Sequence, residues 1–270
     1  MDLDVATPHG RARVYVYTGG KPFDATRPAI VFLHGALHDH GVWTLLARWA
    51  AHHGLAVLAP DLPGHGRSEG PALDTIEALA GWVLALLDAA GVEKTVLVGH
   101  SMGSLIALET AARAPARVRA LLMLATAYPM AVSPELLDTA RDDPYRAIDM
   151  VNAYSHASIG AKPSFPGPGM WLHGSNRTLM RRVQDGYAAG NLFTIDFEVC
   201  NRYSGGLEAA SRVTCPVRIV LGARDQMTAP RQAAALADAL HATVTTLPAG
   251  HSLMTEAPDA VLDVLRAVAA

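Results

Sequence analysis

The strongest constraint on the fold is a series of short apolar segments, rich in β-branched residues, that recur along the chain. They cover residues 29–33, 56–58, 95–98, 121–124, 217–221 and 243–247, and glycine or proline follows them. Because the segments lack the apolar–polar alternation of a half-exposed strand, they are predicted to be strands buried on both faces. Burial on both faces is typical of a parallel sheet covered by helices.

Helical patterns separate these segments. They cover residues 43–53, 75–90, 102–114, 231–240 and 258–268. Strands that alternate with helices indicate βαβ units, and the chain is therefore predicted to have an α/β fold with a mostly parallel, doubly wound central sheet. An earlier alternating segment, residues 12–17, is predicted to be an edge strand or part of a hairpin.

The alternation stops between residues 128 and 211, where the sequence offers helical patterns and no strand pattern. The helical patterns cover residues 134–142, 144–154, 176–188 and 192–203, with a loop rich in proline and glycine at 162–169. Since strand–helix alternation resumes afterwards, residues 128–211 are predicted to be a helical insertion. The core is then formed by residues 1–127 and 212–270.

Composition and charge exclude several classes of protein. Of the 270 residues, 50% are hydrophobic and 17% are charged, so the chain is not intrinsically disordered. The 22 basic and 25 acidic residues give a net charge of −3. No cluster of lysine and arginine marks a nucleic-acid surface, and a small-molecule substrate is the expected partner.

Cysteine usage and the chain's apolar segments bear on its compartment. Cys200 and Cys215 are the two cysteines, which excludes a disulfide scaffold and any CxxC metal or redox motif. Two reduced thiols are favoured, and the alternative is a single disulfide between these two cysteines. The N-terminus lacks a signal-peptide pattern, and no segment approaches the roughly 20 apolar residues of a membrane span. A cytoplasmic protein without a membrane span is expected.

The motif Gly99-His-Ser-Met-Gly103 lies between a predicted strand and a predicted helix. In that context the glycines allow a tight turn in which Ser101 has a strained backbone and projects its hydroxyl above the sheet. The Met102 amide, at the start of the helix, is placed to donate to a substrate carbonyl oxygen. The motif predicts a nucleophilic serine.

A serine hydroxyl needs a base, and the base needs an orienting carboxylate. His251 follows the last predicted strand directly, and Asp225 follows the strand before it, so both are expected at the carboxyl edge of the sheet. His65 and His100 are interpreted as structural, and Asp61 as a residue that braces its loop. The predicted order of the triad is Ser101, Asp225, His251.

These motifs resemble those of the α/β-hydrolase-fold enzymes, specifically the cap-bearing esterase, lipase and C–C hydrolase group. The resemblance is carried by His34-Gly35, Asp61-Leu-Pro-Gly-His-Gly-Arg-Ser68, Gly99-His-Ser-Met-Gly103, and Gly222-Ala-Arg-Asp225 with Gly250-His251. It implies a second oxyanion donor just after His34-Gly35, which is the Ala36 amide, with the Leu37 amide as the fallback. The single glycine there implies a tighter site than a Gly-Gly-Gly run gives. Because position 101 is serine, the aspartate nucleophile of the epoxide hydrolases and haloalkane dehalogenases of this fold is absent.

The resemblance also implies that the insertion forms a cap over the site. The residues expected to line a pocket between cap and core are Leu37, Phe165, Met170, Trp171, Leu172, Met180 and Tyr187. The alternative is that most of them form the cap's own small core. Arg181 and Arg182 either bind a substrate carboxylate or lie on a solvated helix face.

The function expected is that of a serine hydrolase acting on a carboxylic ester with a medium-sized, mainly apolar acyl or alcohol group. No metal or organic cofactor is implied. A C–C bond hydrolase, a lactonase and a thioesterase stay open, because they use the same triad, and an arginine near Ser101 would favour the first. A ligand receptor of this fold with a vestigial triad is the alternative from another class. The sequence does not indicate the oligomeric state.

Overall fold

The computed structural model describes residues 1–7, 9–158 and 171–269. Within them one eight-stranded sheet forms, in the order β1-β2-β4-β3-β5-β6-β7-β8. The strands are β1 (Asp2–Thr7), β2 (Gly10–Tyr17), β3 (Ala29–Leu33), β4 (Ala56–Pro60), β5 (Thr95–His100), β6 (Val118–Leu124), β7 (Val217–Gly222) and β8 (Thr243–Leu247). Strand β2 pairs antiparallel with β1 and β4, and all other pairs are parallel. The predicted mostly parallel sheet is confirmed, and the predicted edge strand is the second strand of a hairpin.

The described helices flank the sheet or lie in the region between β6 and β7. They are α1 (Thr44–His52), α2 (Ile76–Ala89), α3 (Met102–Arg113), α4 (Pro134–Asp142), α5 (Pro144–Ser155), α6 (Leu172–Gly186), α7 (Leu192–Arg202), α8 (Gly206–Arg212), α9 (Ala234–Ala239), α10 (Leu253–Glu256) and α11 (Pro258–Ala269). The pattern at 231–240 divides into a 3₁₀ turn, Pro230–Ala233, followed by α9. The short helices α8 and α10 were not predicted.

Strand β3 shows why the apolar runs are continuous. All five of its residues are buried. Val31 and Leu33 pack into the hydrophobic cluster that contains α2 and α3, whereas Ile30 and Phe32 pack into a second cluster with α1 and α11. Successive side chains of a strand point to opposite faces, so a strand covered by helices on both sides needs apolar residues at every position. The doubly wound arrangement is thereby confirmed.

The region between β6 and β7 is helical in its described part, as predicted. Helices α4, α5, α6 and α7 pack on one another, and α7 also contacts α3. The fifth helix, α8, packs against α3 and α9. The predicted loop at 162–169 falls outside the described residues.

The cysteines and the helix lengths add two facts. Both cysteines are free thiols; Cys200 is buried and Cys215 is partly exposed. Among the described residues, no helix combines the length and the apolar character that crossing a bilayer requires.

Candidate active site

The turn between β5 and α3 carries Ser101. Its φ of 53° and ψ of −122° put a non-glycine residue in a region that L-residues rarely occupy. Such a conformation costs on the order of 1–3 kcal/mol and persists where the surroundings enforce it. Here β5 ends at His100 and α3 begins at Met102, so the chain reverses direction at a single residue. The Ser101 amide donates to the Leu124 carbonyl of the neighbouring strand, which holds the turn against the sheet.

The two glycines of the motif are required by close backbone contacts. A Cβ atom on Gly99 would lie 2.1 Å from the Gly103 carbonyl oxygen, and one on Gly103 would lie 2.2 Å from the Leu33 carbonyl oxygen. Backbone atoms this close have no flexible end that could move aside. Helix α3 therefore sits directly on β3 only because position 103 has no side chain.

Substituting Gly103 with alanine is expected to lower the free energy of unfolding by about 3 kcal/mol, the upper part of the usual range for overpacking, because α3 must separate from β3. Gly81 in α2 is the matched control, since a Cβ there meets nothing within 4 Å. Gly81→Ala is expected to stabilise the protein by about 0.5–1 kcal/mol through helix propensity. Urea unfolding of both variants measures the difference; equal midpoints would contradict the contact argument.

Asp225 and His251 meet at the carboxyl edge of the sheet. Asp225 follows β7, His251 follows β8, and His251 Nδ1 lies 2.8 Å from Asp225 Oδ2. Both residues are buried. The backbone amides of Met227 and Thr228 donate to Asp225 Oδ1, and the Thr228 hydroxyl lies 2.7 Å from Oδ2. Burial opposes ionisation of Asp225, but the His251 imidazole and the Thr228 hydrogen bonds outweigh it and lower the pKa of the carboxyl group.

The backbone of His251 is held from two sides. Its amide donates to the Ser155 carbonyl of α5 at 2.6 Å, and its carbonyl accepts from His100 Nε2 at 2.9 Å. His100 is buried, and burial holds its pKa well below the usual value, so its ring stays neutral. His100, which precedes Ser101, therefore links the serine turn to the histidine loop.

Ser101, His251 and Ala36 line one cavity of about 430 Å³. Ala36 comes from the loop after β3, which passes close to the serine turn: a Cβ on Gly35 would lie 3.1 Å from Ser101 Cβ. Met102 is the first residue of α3, and the first amides of a helix have no acceptor within the helix. The loop that carries Ala36 and the first residue of α3, Met102, therefore both lie next to Ser101.

The structure contradicts both expectations for Leu37. Its amide donates to Asp196 Oδ2 at 2.7 Å, so it is not free to serve as an oxyanion donor. Its side chain is fully buried in the hydrophobic core and not on the cavity wall. Leu37 has a φ of 55°, and its neighbours Ala36 and His38 line the cavity while its own side chain packs into the core.

His34 and Asp61 brace the loops beside the site. Nδ1 of His34 lies 2.9 Å from the Gly35 carbonyl, and its Nε2 accepts from the Leu62 amide at 3.0 Å. Burial lowers the pKa of His34 to about 3, so the ring is neutral and fits one donor and one acceptor. Asp61 accepts from the amides of His40 and Arg67. This geometry agrees with the interpretation of Asp61 as a loop-bracing residue.

The cavity is lined by both apolar and polar residues, and the polar ones include Glu135, Arg231 and Gln232. Its apolar residues include Met130, Val132, Leu136, Met150, Val151, Met180, Phe197, Cys200 and Met227. Apart from Met180, none was proposed from the sequence. They come from α4, α5, α6, α7 and the loops after β6 and β7. Helical periodicity marks such residues as buried, but it does not distinguish a residue facing a cavity from one facing a neighbouring helix.

Trp171, Leu172 and Tyr187 were also expected to line the pocket, and none of them is among its lining residues. Trp171 is 46% exposed and stacks on His173 at the start of α6. The Tyr187 hydroxyl accepts from the Ala72 amide, in the long loop before α2. Phe165 and Met170 fall outside the described residues.

Arg181 and Arg182 are engaged away from Ser101. Arg181 pairs with Asp149 at 3.1 Å on the surface of α5, and Arg182 pairs with Asp39 at 2.6 Å. Asp39, His40 and Asp61 form a compact group of possible metal ligands. Their carboxylate oxygens already accept from protein donors, including Arg182 and the Gly41 amide, so the arrangement is that of a hydrogen-bonded loop.

The match to a family model shows which protein family the chain belongs to. The model described as alpha/beta hydrolase fold matches residues 28–258, which is most of the chain and includes all the strands from β3 onward. The chain belongs to the α/β-hydrolase fold family. Members of this family place a nucleophile in a strand–turn–helix motif of the kind formed here by β5, Ser101 and α3.

Individual relatives are similar over part or all of the chain. It is 37% identical over 125 residues to the lipase LipV of Mycobacterium tuberculosis, covering 41% of this chain and 46% of that protein. It is 29% identical over 156 residues to an epoxide hydrolase of Caballeronia sordidicola, covering 55% and 47%. The chain thus spans about half the length of these curated relatives.

Solved structures align over almost the whole chain. An esterase from Exiguobacterium antarcticum has a TM-score of 0.83 at 16% identity, with 100% of this chain and 99% of that one covered. An enol-lactonase from Burkholderia xenovorans has a TM-score of 0.78 at 22% identity, with 98% of each chain covered. At these identities the likeness shows the fold alone.

Proposed function

We propose that this protein is a serine hydrolase that cleaves a carboxylic ester with a medium-sized, mainly apolar acyl or alcohol group. The observation that carries the proposal is the convergence of two elements on one cavity. Ser101, in its strained strand–helix turn, and His251, bonded to Asp225 at 2.8 Å, both line it. A nucleophile, a histidine and a carboxylate that orients the histidine are the parts that acyl transfer requires.

The proposed mechanism assigns one role to each residue. Ser101 Oγ attacks the ester carbonyl carbon as its proton moves to His251 Nε2, while Asp225 holds the other ring nitrogen and stabilises the imidazolium. The oxyanion of the tetrahedral intermediate accepts hydrogen bonds from the Ala36 and Met102 amides. His251 then gives its proton to the leaving alcohol. Water, activated by the same histidine, hydrolyses the acyl-enzyme and releases the acid and free Ser101.

The size and lining of the cavity support an apolar substrate group. Its volume of about 430 Å³ is in the range of small-molecule sites, and methionine, leucine, valine and phenylalanine side chains form much of its wall. Methionine is flexible and adapts to irregular shapes, so several acyl or alcohol groups of similar size are expected to fit. In this proposal residues 128–211 form the cap, and their helices supply most of that wall.

A C–C hydrolase is the second candidate function. The sequence suggested Arg181 or Arg182 as the arginine that such an enzyme would place near Ser101, and both pair elsewhere, with Asp149 and Asp39. Arg231, which the sequence did not single out, lines the cavity together with Ser101. Comparison of dione and ester substrates distinguishes the two functions. Lactonase and thioesterase activities would use the same Ser101, His251 and Asp225. Comparing lactones and thioesters with esters as substrates distinguishes these activities from ester hydrolysis. The receptor alternative predicts binding without acylation of Ser101.

A fluorophosphonate probe tests the proposal directly. The probe is expected to phosphonylate Ser101, so mass spectrometry of a tryptic digest should find the added mass on residues 95–113. An ester substrate should protect that peptide, and comparison of esters, lactones, thioesters and diones as competitors ranks the substrate classes. Folded protein that stays unlabelled, or that is labelled on another peptide, would refute an activated Ser101.

A further inference from the structure

Asp196 connects the proposed cap to the loop that carries an oxyanion donor. It lies in α7 and is 2% exposed. A single oxygen, Oδ2, accepts from the Leu37 amide at 2.7 Å and lies 2.8 Å from His65 Nε2. Leu37 belongs to the loop after β3, and His65 to the loop after β4. One buried carboxylate therefore joins three separate parts of the chain.

The hydrogen bond from the Leu37 amide to Asp196 lies at a strained position of the backbone. Leu37 has a φ of 55°, in the left-handed region, although it is not a glycine. That conformation costs roughly 1–2 kcal/mol for an L-residue. A hydrogen bond from an amide to a buried carboxylate is stronger than one to a neutral acceptor. The Asp196 contact thus offsets the cost of the turn at Leu37, which directly follows Ala36.

His65 holds the Asp196 carboxylate in place. Nδ1 of His65 lies 3.0 Å from the Pro63 carbonyl, and Nε2 faces Asp196, so both ring nitrogens face acceptors and both are expected to carry a proton. Burial opposes the charge, but Asp196 outweighs it and raises the pKa of His65. Removing either partner of such a buried, hydrogen-bonded pair strongly destabilises the folded protein, because the other charge is left buried without its partner.

We propose that Asp196 is a positioning residue for the oxyanion hole, which holds the turn at Leu37 and thereby the amide of Ala36 in the orientation that the tetrahedral intermediate needs. This inference rests on the proposed function, because it presumes acyl transfer at Ser101. According to this proposal, helix α7 both contributes Phe197 to the cavity wall and positions the oxyanion loop through Asp196. Since the Ala36 amide acts on the transition state, loss of the contact should affect turnover more than substrate binding.

The test compares Asp196→Asn with Asp149→Asn. The asparagine keeps the size of Asp196 and one acceptor oxygen but removes the charge, so the hydrogen bonds from the Leu37 amide and from His65 are weakened. Removing one oxyanion donor outright costs about 10²–10³ in turnover in other enzymes, and a displaced donor should cost less. We expect kcat for a p-nitrophenyl ester to fall about 10- to 100-fold, with KM changed less than about twofold. Asp149, whose carboxylate is paired at the surface with Arg181, is the control and should leave both unchanged.

A transition-state analogue gives a readout that a purely structural role would not move. A trifluoromethyl ketone adds to Ser101 Oγ, whose proton passes to His251, and the resulting hemiketal oxyanion occupies the oxyanion hole. Its affinity should fall in Asp196→Asn by the same factor as kcat, whereas the corresponding alcohol, which has no oxyanion, should bind as it does to the wild type. Unchanged kcat and ketone affinity in folded Asp196→Asn, whatever its thermal stability, would overturn the proposal.

A second variant covers the case in which Asp196→Asn does not fold. His65→Gln removes the charge that holds Asp196 but leaves the Leu37 contact, and a smaller fall in kcat, about three- to tenfold at constant KM, is expected. A folded His65→Gln with wild-type kcat would overturn the proposal as well. Failure of the proposed function looks different: wild-type protein then acquires no fluorophosphonate at Ser101, before any variant is compared.

Discussion

Replacing Ser101 with alanine is expected to reduce kcat for a p-nitrophenyl ester by on the order of 10⁴- to 10⁶-fold, while KM changes little. The cavity, the Ala36 amide and the His251–Asp225 pair all stay in place, so binding is retained and only the covalent route is lost. Residual turnover would come from water attacking an ester that is still held beside the oxyanion donors. Steady-state kinetics together with loss of fluorophosphonate labelling measure the effect.

Ser211→Ala is the matched control for this substitution. Ser211 lies exposed on α8, and its hydroxyl donates to the Glu208 carbonyl within the same helix. Its removal should leave kcat, KM and labelling at wild-type values. If Ser101→Ala kept kcat within tenfold of the wild type, another nucleophile would be responsible and the acyl-enzyme mechanism would be wrong.

Asp225→Asn is expected to lower kcat by about 10⁴-fold without unfolding the protein, by analogy with the same change in other serine hydrolases. The Met227 and Thr228 amides donate to Asp225 Oδ1, so an asparagine will present its oxygen to them and its NH₂ group to His251. His251 Nδ1 then becomes the acceptor, and the proton moves to Nε2, the nitrogen that has to take the proton of Ser101. The wrong tautomer leaves the serine without its base.

The control for the triad carboxylate is Asp263→Asn on α11. Asp263 is largely exposed and pairs with Arg266 one helical turn away, so its loss should change neither kcat nor the unfolding midpoint appreciably. The comparison is made on folded protein, with urea unfolding run in parallel. An Asp225→Asn enzyme that is folded and as fast as the wild type would remove Asp225 from the mechanism.

The positions of Ser101, Asp225 and His251 were predictable because each follows a strand whose sequence pattern is local. Parallel strands of one sheet end at the same edge, so residues just after β5, β7 and β8 are expected at that edge. The structure places Asp225 and His251 at hydrogen-bonding distance and brings Ser101 to the same cavity. The prediction needed only the local strand patterns and the parallel direction of the strands.

The cavity wall and the braces of the site were not predictable in the same way. Trp171 was expected to face the cavity and lies exposed at the start of α6, whereas Phe197, which was not proposed, lines it. Asp196 and Thr228 are ordinary polar residues in sequence, and only their partners, Leu37, His65 and Asp225, give them a role.

The amino-acid sequence by itself therefore determined the α/β architecture and the loops that carry the proposed triad, because strand periodicity, glycine spacing and turn chemistry act over a few neighbouring residues. The tertiary structure alone decided which helix faces meet the substrate space and which carboxylate supports the oxyanion loop. Those outcomes depend on how helices that are far apart in sequence dock on one another. A small rotation of a docked helix exchanges the side chains it presents, without any change in its amphipathic pattern.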